Sequence, residues 1–70
     1  MIAGVVIETV RGAEPQVAAR LLRVAGVSLC GGDGHGRIAA VLDVEDGAAL
    51  ERLAEGLVAG DEEILGVFPT

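Results

Sequence analysis

The stretch VSLCGGDGHGRIAAVLDV, Val27 to Val44, decides the fold. Val27, Ser28, Leu29 and Cys30 alternate with the two-residue period of a strand. Gly31-Gly32-Asp33-Gly34-His35-Gly36 then places four of the chain's eleven glycines in six positions, and glycine reaches positive φ in a tight turn without a steric cost. Arg37 to Val44 resumes the alternation. The two segments are therefore expected to pair antiparallel as a hairpin.

Working outward, Ile2 to Thr9 (IAGVVIET) is short, rich in β-branched residues and bounded by Arg11-Gly12, which marks a first strand. Pro15 suits a first helical turn. Val17, Ala18, Leu21, Leu22, Val24 and Ala25 recur at steps of three and four, with Gln16, Arg20 and Arg23 turned away, which predicts a helix of about three turns ended by Gly26. Beyond the hairpin, Asp46 can cap a second helix whose apolar stripe is Leu50, Leu53, Ala54, Leu57 and Val58. Gly60-Asp61 closes it, and Ile64 to Phe68 forms a last short strand, with Pro69 at its end.

Strand, helix, strand, strand, helix, strand is the order of two split βαβ units, an α+β class chain. The expected architecture is a ferredoxin-like βαββαβ sandwich: a four-stranded antiparallel sheet with two helices on one face and strands one and three in the middle. Residues 1–70 make one domain, since a chain this short holds a single core.

The second face of such a sheet lies bare. Turning the bulkier series toward the helices puts Val5, Ile7, Val27, Leu29, Ile38, Ala40 and Leu42 inward. Alternation then leaves Gly4, Val6 and Glu8 beside Ala39, Val41 and Asp43 on the free face, with Ser28 and Cys30 alongside. That surface is apolar at its centre and acidic at its corners. Two plain readings stand beside a binding one: a half-wet sheet, or a face covered in a homodimer.

Composition narrows the partners. Eleven acidic residues against five arginines give a net charge of −6, which opposes nucleic acid and anionic lipid and suits a cationic peptide. Cys30 is the single cysteine, so no internal disulfide forms and a reducing cytoplasm is expected. Met1 to Val10 lacks a basic n-region and contains Glu8, so it does not read as a signal peptide. No apolar run reaches the ~18 residues that span a bilayer, so stable membrane insertion is not expected.

Sites for chemistry are sparse, and no catalytic residue, metal or cofactor is assigned. Cys30 and His35, even joined by Asp33, are too few for structural zinc. Nothing near the pair would activate the thiol or orient the imidazole. The glycine-rich turn leads into a strand, whereas a phosphate-cradling loop leads into a helix N-terminus. The acidic run Asp61-Glu62-Glu63, with Glu51 and Glu55, reads as solvated surface.

Several segments together carry a resemblance. Gly4-Val5-Val6-Ile7-Glu8-Thr9, Val24-Ala25-Gly26-Val27, the run Gly36 to Asp46 (GRIAAVLDVED) and Glu63-Ile64-Leu65-Gly66-Val67 resemble the NapD family over nearly the whole chain. These are small cytoplasmic chaperones of the periplasmic nitrate reductase. The resemblance implies a non-enzymatic protein that binds the twin-arginine signal peptide of a molybdoenzyme precursor on its sheet and delays export until the cofactor is inserted. It points to Gly4, Val6, Glu8, Ala39, Val41 and Asp43 as the peptide-binding surface. Leucines of a helical leader would lie on Val6, Ala39 and Val41, and Glu8, Asp43 or neighbouring carboxylates would meet its arginines. The alternative is a small-molecule regulatory domain of the amino-acid-sensing (ACT-like) type. It shares the element order and would use the loop Val10-Arg11-Gly12-Ala13-Glu14.

Overall fold

A computed structural model describes residues 1–70. Its elements are β1 (Ile2–Thr9), α1 (Glu14–Leu21), β2 (Val27–Gly32), β3 (Arg37–Asp43), α2 (Gly47–Ala59) and β4 (Ile64–Pro69). The strands form one antiparallel sheet in the order β2-β3-β1-β4, the ferredoxin-like arrangement. β1 and β3 take the centre, as the βαββαβ order requires.

Period-two alternation sets which side chains meet the helices. Val5, Ile7, Ile38, Ala40 and Leu42 are buried, and with Val17 and Leu21 of α1, Leu57 of α2, Ala13 and Ile64 they form the core. Val27 and Leu29 pack against its edge. The inward set expected from the sequence is therefore the one observed. No helix is long and apolar enough to cross a membrane.

The first helix is shorter than its apolar spacing suggests. α1 runs for eight residues, after which the chain tightens into turns in which the Arg23 and Val24 amides donate to the carbonyls of Arg20 and Leu21. Val24 still packs against the core, but Leu22 is 71% exposed. Periodicity included Leu22 and Ala25 in the stripe, yet the chain must leave the helix there to enter β2. Gly26 makes that entry: its φ is +84°, and a Cβ there would stand 2.7 Å from the Asp43 carbonyl oxygen. No other residue type fits so close an approach in that conformation.

α2 begins as expected, with the Asp46 carboxylate accepting a hydrogen bond from the Ala49 amide at 2.8 Å. Two register shifts interrupt the sheet. One falls in β2 between Leu29 and Gly31, making Cys30 the extra residue. The other falls where Glu8 faces Gly66 and Thr9 faces Ile64, making Leu65 the extra residue of β4. Both kinks lie on edge strands, where bulges deter pairing with another chain.

Candidate functional site: the open face of the sheet

The two helices cover one side of the sheet, and directly paired residues point to a common side. Ile2 pairs with Asp43, Gly4 with Val41, Val6 with Ala39 and Glu8 with Arg37. Val6 also pairs with Phe68 on its other flank, and Ser28 pairs with Val41. Since Val5, Ile7, Ala40 and Leu42 are buried against the helices, all these pairs belong to the opposite side. The structure thus brings together the six residues singled out from the sequence, Gly4, Val6, Glu8, Ala39, Val41 and Asp43. No segment of the chain lies across their centre. Val6 and Val41 are half-buried, and Ala39 is exposed.

Their surroundings change what each can do. Gly4 is not a free floor: the Thr70 hydroxyl donates to its carbonyl at 3.1 Å, and a Cβ on Gly4 would stand 2.8 Å from the Thr70 hydroxyl oxygen. Glu8 faces Arg37, with Nε 3.9 Å from the carboxylate. A cation thus already stands beside one of the two expected acidic corners. Asp43 is exposed and belongs to none of the chain's ion pairs.

Four residues extend the apolar surface or its rim beyond the set expected from sequence. Phe68 is 51% exposed, and its ring lies over Gly66, where an added Cβ would come within 2.6 Å of it. Gly66 provides the bare backbone on which the chain's single aromatic ring rests. Ile2, 72% exposed, stands beside Asp43. Arg37 was legible by alternation from Ala39. Phe68 was not, because its facing depends on the shifted register around Leu65.

The surface has relief. A hollow of about 390 Å³ lies among Val6, Ala39, Arg37, Cys30, Gly31, Gly32 and Asp33, and a second of about 390 Å³ among Val6, Glu8, Arg37, Phe68, Pro69 and Thr70. Val6 and Arg37 line both. The first hollow exists because Ala39, Gly31 and Gly32 contribute little or no side chain between larger neighbours. A side chain of a docked segment could enter either one, with Val6 as the ridge between them.

The remaining charged residues work mostly within the fold. Arg20, expected to point away from it, crosses from α1 to the segment before β4. Its Nε and a terminal nitrogen reach Asp61 at 2.8 and 3.0 Å, and Glu63 at 2.9 Å. The Arg20 hydrogen bonds hold the Asp61 carboxyl below its ordinary value of 3.8, and Asp61 with Glu63 raises the guanidinium's own value. Two members of the acidic run are therefore a clamp between elements rather than free surface.

The glycine-rich hairpin is likewise tied down. The Glu14 carboxylate accepts hydrogen bonds from the amides of Gly34 at 3.3 Å and Gly36 at 2.9 Å. Asp33 accepts from the amides of His35 at 2.7 Å and Arg37 at 3.1 Å. The His35 bond, then the Arg37 bond, keeps the Asp33 carboxyl below 3.8. No three His, Cys, Asp or Glu side chains gather in a metal-binding group.

Comparison with protein-family models, curated proteins and solved structures finds no match to this chain. The functional reading therefore stands on the face itself and on the sequence resemblance.

Proposed function

We propose that the chain is a non-enzymatic binding module whose open sheet face takes an amphipathic, cationic peptide. The resemblance to the NapD family supplies the peptide class: the twin-arginine signal peptide of a periplasmic nitrate reductase or related molybdoenzyme precursor. Holding that leader in the cytoplasm would delay export until cofactor insertion. The observation that carries the reading is the strip Val6, Ala39, Val41 and Phe68, half-buried to exposed on the side of the sheet that the helices leave uncovered. Negative net charge supports a basic partner.

The small-molecule alternative finds less support. Its loop would have to use Glu14, whose two carboxylate oxygens already accept the amides of Gly34 and Gly36.

Calorimetric titration with synthetic molybdoenzyme leaders tests the proposal. Saturable binding in the micromolar range is expected, weakened by Val6→Glu or Val41→Glu in chains that remain folded. Absence of binding by the folded protein, or full affinity in both variants, refutes it.

A further inference from the structure

The open face is graded in bulk from one edge of the sheet to the other. Pairing aligns Gly31, Ala39, Val6 and Phe68 in one row across β2, β3, β1 and β4. Side chains grow along that row from none, through a methyl and an isopropyl group, to a benzyl ring. A neighbouring row sets Val41 beside Gly4. Another sets Arg37, two-thirds exposed, beside Glu8. Turned over about a twofold axis that runs along the strands between β3 and β1, each row meets its own reverse. Phe68 then stands over Gly31, Val6 over Ala39, Val41 over Gly4 and Glu8 over Arg37, so bulk faces a gap and anion faces cation.

We infer that the open face pairs with the open face of a second copy of this chain across that axis, the Phe68 ring of each copy entering the hollow of about 390 Å³ over Gly31, Gly32 and Ala39 of the other. Such an isologous contact is the ordinary symmetry of a homodimer, and two sheets stack face to face with their strands nearly aligned. Arg37 and Glu8 of both copies form an alternating ring of four charges, in which each arginine gains a second carboxylate. A twofold across the strands would instead stack β4 on β4 and β2 on β2, leaving both hollows unfilled.

The size of the face sets the strength of the contact. It measures roughly 20 Å along β1, at about 3.3 Å per residue, by about 19 Å across four strands spaced about 4.8 Å apart, or about 400 Å² per copy. That is half of the roughly 800 Å² per partner of a standard stable interface. Each copy also carries a net charge of −6. The dimer is therefore weak and reversible, with a dissociation constant of about 0.1 mM. It does not depend on the peptide reading, although a leader and a second copy would compete for the face.

Sedimentation equilibrium of the chain from about 10 μM to about 1 mM tests the inference. The mass is expected to rise from 7.1 kDa toward twice that value. Arg37→Glu and Glu8→Arg, each shown folded by its amide spectrum, separately weaken association by about thirtyfold, because symmetry repeats each reversed contact. An equimolar mixture of the two variants restores it, since every contact between positions 8 and 37 of unlike chains again joins opposite charges. In mixed labelled and unlabelled wild-type chains, isotope-filtered NOEs connect the Phe68 ring to Gly31 and Ala39 of the other copy. A folded wild-type chain that stays at 7.1 kDa throughout overturns the inference, as does a dimer indifferent to both substitutions or a mixture that fails to associate. Each of these failures leaves peptide docking, tested by leader calorimetry, untouched.

Discussion

Phe68→Ala is the most informative single substitution, because the ring is the largest apolar group on the open face. A phenylalanine presents roughly 200 Å², and Phe68 is 51% exposed, so about 100 Å² awaits cover. At ~25 cal/mol per Å² that area is worth about 2.5 kcal/mol when a docked peptide hides all of it. Half coverage is worth about 1.2 kcal/mol. Truncation should therefore weaken leader binding by about eightfold to seventyfold.

The shielded half of the ring rests on Gly66 and flanks Val6, so the same change also costs folding stability. Calorimetry is accordingly paired with an amide spectrum showing that the variant is folded. Gly66→Ala gives a second handle: it pushes the ring off its seat without deleting it, and a strand alanine in place of glycine offsets the cost by about 0.5–1 kcal/mol. It should impair binding with little loss of stability. A folded Phe68→Ala chain that binds a leader with wild-type affinity would refute the assignment of the ring to the docking surface.

Two further outcomes follow from the fold's internal polar contacts. Glu14→Ala removes both acceptors of the hairpin amides, so hydrogen exchange at Gly34 and Gly36 should accelerate and stability should fall by about 1–2 kcal/mol, measured by urea unfolding. Asp33 and Asp61 titrate below 3.8 in the folded chain; their contribution is complete above that value and is lost as pH falls through their folded values. Urea midpoints should thus drop on acidification from neutral to about pH 3, and less so in Arg20→Gln, which releases Asp61.

The parts of this fold that were legible in sequence are those governed by strict alternation. Val5-Val6-Ile7 and Ile38-Ala39-Ala40-Val41-Leu42 announce two half-buried central strands, and a one-residue slip would expose the whole inward set. Alternation also places Val6, Ala39 and Val41 together on the free side. It loses its hold wherever a bulge inserts a residue: Leu65 resets the facing of β4, which hid Phe68 from a reading by period. Helical spacing misled at Leu22 because a tightened turn can bury Val24 without continuing the helix. The Arg20 clamp and the Glu14 latch were illegible for another reason. Each joins residues 20 or more positions apart, and no local pattern encodes which distant partner a long side chain will reach.

Mapping amide shift changes on the labelled chain during titration with a twin-arginine leader tests the central claim most directly. The account predicts that the changes concentrate at Val6, Ala39, Val41 and Phe68, with Asp43 included and the outer side of α2 at Glu51 and Glu55 quiet. Changes centred on the helices, with those strand residues undisturbed, would contradict it.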